Sequence, residues 1–134
     1  MIHEEADEQI KVSEYLRWAY PKVLFTISIA GVKMIGNKVQ QIVALARLKR
    51  MGYKKGTSDI IIFESRNGAN GLLIEMKSPG NRGSKGRISI EEKEFLQLAE
   101  DRGYAIAVCW GFDEAKIVID NYFAVEEKSI GEKK

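Results

Sequence analysis

One cysteine, one histidine and two prolines are all that 134 residues hold of these three types. A lone Cys109 excludes an intrachain disulfide framework and any multi-cysteine zinc site. A lone His3, near the start of the chain, argues against a Ser-His-Asp triad and against a His-ligated metal centre. No apolar run approaches the roughly 18 residues that cross a bilayer. The opening MIHEEADEQ is acidic where a signal or transit peptide is basic or apolar, so a cytoplasmic protein is expected. The length suits one domain with a single core. Chemistry on such a chain falls to carboxylates, lysine and a hard metal ion.

Acid is missing in another sense. Basic and acidic residues nearly cancel, 21 against 19, yet Tyr15 to Ser58 contains no Asp or Glu where about six would fall at the chain's average. The same stretch carries Arg17, Lys22, Lys33, Lys38, Arg47, Lys49, Arg50, Lys54 and Lys55. A basic block of this kind suits a polyanion such as nucleic acid, or equally a solvated helix face with its loop.

Periodicity divides the chain into eight elements. Glu5 to Tyr20 reads as a helix stopped by Pro21, with Glu5, Gln9, Val12 and Leu16 on one stripe. Leu24 to Ala30 alternates as a strand, and Val39, Ile42, Val43 and Ala46 form the stripe of a second helix ended by Gly52. Asp59 to Glu64 and Gly71 to Lys77 read as a hairpin turned at Arg66, Asn67 and Gly68. Pro79 to Arg87 is glycine-rich and basic, hence a loop. Ser89 and Glu92 form a capping-box pattern that opens a helix to Arg102, closed by Gly103. Tyr104 to Trp110 is almost wholly apolar, which predicts a central strand, and Asp113 is placed to cap a last helix to Tyr122. The order α-β-α-β-β-α-β-α predicts a small mixed α/β sheet flanked by helices over residues 1–125, with a polar, disordered tail at 126–134.

Three polar residues interrupt the hydrophobic strands. Glu75 and Lys77, two apart, project from one face, while Met76 points to the other with Leu72 and Ile74. Asp59 opens the preceding strand of the same hairpin, within reach of Glu75. Two carboxylates beside an ammonium can bind Mg²⁺ or Mn²⁺ through oxygen, activate water and steady charge on a phosphoryl group. The bare pattern acid-x-Lys recurs five times, so the strand context singles out Glu75 and Lys77. An ordinary edge strand with an outward Glu/Lys pair has the same periodicity.

Gly56 to Asp59 (GTSD), Leu72 to Pro79 (LLIEMKSP) and Arg87 to Leu96 (RISIEEKEFL) together resemble the VRR-NUC domain, a branch of the PD-(D/E)XK nuclease superfamily. Glu5 to Gln9 (EADEQ), Leu16 to Pro21 (LRWAYP), Gly103 to Trp110 (GYAIAVCW), and Phe112 to Glu114 through Asp120 to Tyr122 extend the likeness to stand-alone, phage-type members, over nearly the whole chain. The resemblance implies a restriction-endonuclease-like fold and a Mg²⁺- or Mn²⁺-dependent DNA endonuclease, homodimeric and acting on branched DNA such as four-way junctions or flaps. It implies Asp59 and Glu75 as metal ligands, the Met76 carbonyl as a third, Lys77 as the catalytic lysine, and Glu5 completing the cluster directly or through water. Gln9 matches a recurring glutamine of the first helix. Glu92 stands where the family usually has Gln, and Ser28, Ile29 and Ala30 lack the Asn-Gly-Gly often seen after the first strand.

Lys33, Lys38, Arg47, Lys49, Arg50, Lys54 and Lys55, with Arg82, Lys85 and Arg87 of the loop, are candidates for gripping backbone phosphates. No membrane and no organic cofactor are called for. Cys109, inside an apolar strand, reads as a buried structural thiol, and Trp18 and Tyr20 as core. Two rival readings use the same residues. One is a non-catalytic nucleic-acid-binding module on this fold, and the other a general α/β binding or oligomerisation domain.

Overall fold

A computed structural model describes residues 4–29, 34–80 and 87–124. His3, Lys33, Arg82, Lys85 and the tail 126–134, all subjects of expectations above, lie outside them. Eight elements follow in the predicted order: α1 (Glu4–Ala19), β1 (Phe25–Ile27), α2 (Lys38–Met51), β2 (Ile60–Ile62), β3 (Leu72–Lys77), α3 (Ile90–Asp101), β4 (Ala105–Trp110) and α4 (Phe112–Ala124). The strands form one sheet, ordered β1-β2-β3-β4, antiparallel at the first two junctions and parallel at the third. Parallel β3 and β4 need a crossover, which α3 supplies. β4 is therefore an edge strand and not the central strand its composition suggested. Its side chains are covered by helices on both faces, which yields the same apolar run as centrality.

Alternation sorts the sheet into two faces. Ile60, Ile62, Leu72, Ile74, Met76 and Cys109 share one face and pack with Val12 and Leu16 of α1 and Ala115 and Ile119 of α4. This is the core. Burial pushes the Cys109 thiol up to about 12, so it stays a neutral packing group. Polar ties hold α1 to α4. The Tyr15 and Tyr20 hydroxyls donate to Asp120 Oδ1 at 2.5 and 2.7 Å, and Lys116 Nζ to Asp120 Oδ2 at 2.9 Å. Glu8 Oε1 accepts the Phe112 N–H at 2.7 Å, so a carboxylate from α1, rather than Asp113, caps α4. Tyr20 stacks on Phe123, but Trp18 is 80% exposed and not core.

Two capping boxes start helices as their residues require. Asn37 with Gln40 begins α2, and Ser89 with Glu92 begins α3. α2 lies on the outside. None of its residues is buried, and Val39, Ile42 and Val43 are 68%, 60% and 61% exposed. The apolar stripe that its spacing predicted faces outwards.

Candidate active site

The hairpin between β2 and β3 sets the site. Asn67 and Gly68 both take positive φ, 50° and 89°, and close a tight turn whose ends bridge at Arg66 and Ala69. Continued without a break, that register would set Asp59 opposite Met76. Instead Ile62 meets Leu72 and Ile60 meets Ile74, so residues 63–65 on one arm face only 70–71 on the other. One extra residue has been absorbed, as in a β-bulge. Carried one step past Ile60, the shifted register sets Asp59 opposite Glu75, with both side chains on the second sheet face.

Asp59 and Glu75 are both buried, at 6% and 2% exposure. The Met76 N–H donates to Asp59 Oδ2 at 2.7 Å. Within a strand a residue's N–H and C=O leave on the same side, so the Met76 carbonyl also faces the Asp59 side, beyond the end of β2. Lys77 Nζ lies 3.7 Å from Glu75 Oε2 and donates to Glu92 Oε1 at 2.9 Å. Glu92 Oε1 also accepts the Ser89 N–H at 2.9 Å. Glu92 thus caps α3 and holds Lys77 with one oxygen. The loop before Asp59 closes against the start of α3 through Gly56, where a Cβ would stand 2.3 Å from the Glu91 carbonyl oxygen.

Charge is in excess here. Burial first, then the Asp59 and Glu92 charges, push Glu75 up to about 10. Burial likewise raises Asp59 against the pull of the Met76 N–H, and burial with the Asp59 charge raises Glu5 at the start of α1. Burial would lower Lys77, but Glu92 outweighs it and holds the ammonium above its ordinary value. Glu92 is held low despite its burial by the Ser89 N–H and Lys77. Tyr53 was not singled out in the sequence. Burial and then Asp59, Glu75 and Glu92 raise its hydroxyl, which puts it within the field of the same cluster. Nothing in its sequence neighbourhood signals this.

Among the described residues, no three His, Cys, Asp or Glu side chains stand in a ready-made ligand set. The donor chemistry nevertheless fits a hard divalent cation. All the acceptors are oxygen, and Glu75 Oε1 is enclosed without a hydrogen-bond partner. A cation at that oxygen would remove both the orphaned acceptor and the repulsion that adds to burial in keeping Glu75 protonated.

The structure brings together Glu5, Asp59, Glu75, Met76, Lys77 and Glu92, and sets Gln9 one helical turn from Glu5. It does not gather the basic candidates. Lys38, Arg47, Lys49 and Arg50 lie exposed on α2. Lys55 pairs with Glu91 at 3.7 Å, Lys54 rims a separate apolar groove with Ile61 and Phe63, and Arg87 is exposed ahead of α3.

Comparison with known proteins finds similarity to a family and to a solved structure. A family model described as the VRR-NUC domain matches residues 3–113. A solved structure titled "VRR_NUC domain protein" is similar to this chain with a TM-score of 0.67 and 26% identity, covering 92% of this chain and 91% of the other. No curated protein matches.

Proposed function

Because this chain belongs to the VRR-NUC domain family, a PD-(D/E)XK nuclease type, we propose that it is a DNA endonuclease that uses Mg²⁺ or Mn²⁺ and selects branched DNA such as four-way junctions or flaps. Family membership carries a nuclease-type, nucleic-acid-processing function. The observation that supports the finer reading is the buried pairing of Asp59 with Glu75 beside Lys77, with Glu75 Oε1 left unpartnered.

In this reading Asp59, Glu75 and the Met76 carbonyl hold the cation, and Glu5 approaches it directly or through water. When bound, such an ion lowers the pKa of a coordinated water and neutralises phosphoryl charge. Lys77, kept cationic by Glu92, orients the attacking water or steadies the phosphoryl oxygens. Burial of both carboxylates strengthens their hold on a cation while keeping bulk water from them. The exposed cations of α2 and Arg87 contribute phosphate contacts that carry no base information. Such a nuclease meets DNA in the cytoplasm of a bacterial or phage-infected cell; among the described residues no helix is long and apolar enough to cross a membrane.

The partner is a second copy of this chain. α2 turns an apolar stripe outwards, which an isolated helix on a small domain does not afford without a partner. A two-fold axis offers each copy the same stripe and sets two sites on two strands of a junction.

The test is incubation of the purified protein with labelled four-way junction, flap and linear duplex, with and without Mn²⁺, beside Asp59→Asn and Lys77→Ala. Metal-dependent cutting of the branched substrates is expected from the parent alone, with DNA binding nearly intact in both variants. Variants that cut as fast as the parent overturn the site. A parent that binds but never cuts leaves the binding-module reading instead.

A further inference from the structure

The edge of β1, which pairs with no further strand among the described residues, and the flank of α1 form a groove of about 550 Å³ that the site above does not use. Gln9, Ser13 and Arg17 come at four-residue intervals along its α1 wall, continuing from Glu5, and Phe25 and Ile27 supply the opposite wall. Its direction follows from pairing. Ile27 lies beside Ile60, and the Ser28 N–H donates to the Asp59 carbonyl at 2.9 Å, so the Gln9–Ile27 end abuts the catalytic residues. The Arg17–Phe25 end lies away from them, with the guanidinium 5.9 Å from the ring centre.

We propose that this groove holds one unpaired DNA strand as it leaves the catalytic centre. The proposal rests on the nuclease reading and adds to it where the single-stranded part of a branched substrate lies. Three features favour a nucleotide chain. Arg17 has no carboxylate partner among the described residues and can meet a phosphate. Exposed Ile27, with the part of Phe25 that lines the groove beside its core packing and the Arg17 guanidinium, offers apolar surface for a base. The Leu24 carbonyl and the Ser28 N–H both bond to β2, so the alternate main-chain N–H groups of Phe25 and Ile27 turn outwards as further donors. Glu14 also lines the groove and disfavours a phosphate beside it, which leaves Arg17 as the cation for the backbone. A volume of this size takes a ligand about as large as a drug molecule, one or two nucleotides and not a duplex.

The test reads binding without cleavage. Fluorescence anisotropy of a labelled single-stranded oligonucleotide and of a linear duplex is measured in EDTA, over a salt series, for four proteins. These are the parent, Arg17→Gln, the groove-filling Ser13→Trp, and Lys93→Gln on α3 as a control, each checked by circular dichroism. The expected result is a loss of single-strand affinity of roughly fivefold or more in both groove variants, with duplex affinity and the control unchanged. In Arg17→Gln the slope of log affinity against log salt should also drop by about 0.7, one phosphate contact on a single strand. Unchanged affinity and slope in both variants overturn the proposal. So does a loss of self-association with DNA binding intact, which would give the groove to a polypeptide strand. Since no metal is present, the groove can fail while Asp59-dependent cutting stands, and cutting can fail while the groove still binds.

Discussion

Replacing Glu75 with Gln should stabilise the metal-free protein while abolishing cleavage, and its pH dependence gives the size of the effect. Burial and the Asp59 and Glu92 charges push Glu75 up to about 10 in the fold, against 4.5 ordinarily. A carboxyl raised in this way keeps its proton in the native state while the unfolded chain ionises. Its contribution is whole below pH 4.5 and is lost progressively as pH rises towards 10. Each pH unit in that window is worth at most about 1.4 kcal/mol. Between pH 5 and pH 8 the ceiling is therefore about 4 kcal/mol, and coupling to Asp59 and Glu92 brings the expectation to about 2 kcal/mol. Asp59 and Glu5 are raised too and act in the same direction. Glu8, Glu92 and Asp120 are held low, so their stabilisation is lost only in more acid solution, outside this window. Thermal denaturation in EDTA should show the parent losing about 6–10 °C from pH 5 to pH 8 relative to Glu75→Gln. Adding Mg²⁺ or Mn²⁺ at pH 8 should recover that loss in the parent and not in the variant. Parallel pH profiles for the two proteins would refute the claim that Glu75 is an uncompensated buried acid.

Four further outcomes are expected. Ser89→Ala removes the α3 cap and should cost about 1 kcal/mol in denaturant titrations with cleavage retained. Glu92→Gln keeps a capping-box side chain but drops the carboxylate on Lys77, so kcat should fall with little change in stability. Asp120→Ala strips the acceptor from Tyr15, Tyr20 and Lys116, and should destabilise by about 2–3 kcal/mol without altering metal affinity at fixed temperature. Val43→Asp should abolish self-association in analytical ultracentrifugation with near-native circular dichroism, because no residue of α2 is buried.

Much of this was legible beforehand, for definite reasons. Pro21, Gly103 and the Ser89–Glu92 box mark helix ends through backbone chemistry that tertiary context does not override. Apolar periodicity gave the eight elements and their order, because each must bury one face. Periodicity does not say against what. The α2 stripe has the spacing of a core-facing helix and faces outwards, and the β4 run reads as central though it lies at the sheet's edge. In the site, the alternation of Glu75, Met76 and Lys77 follows from strand geometry alone, whereas Glu92's hold on Lys77 and the field at Tyr53 depend on how α3 and the Gly56 loop close over the sheet. A capping-box acid is fully explained by its helix, so its second partner leaves no trace in sequence.

The pairing of Asp59 with Glu75 is the least legible feature and the one on which the site depends. The turn at Asn67 and Gly68 fixes a register in which Asp59 would share a face with Met76, in the core, away from Glu75 and Lys77. One residue absorbed among 63–65 moves Asp59 to the other face. That irregular stretch is itself anchored, since the Tyr122 hydroxyl of α4 donates to the Glu64 carbonyl and the Phe63 N–H to the Leu24 carbonyl on β1. The core-side helix and the edge strand thus hold the offset that aligns two acids at the far end of the hairpin. A hairpin of regular register would bury its apolar residues as well over a few pairs, yet it would separate the two carboxylates. The offset is therefore better explained by the site than by the core.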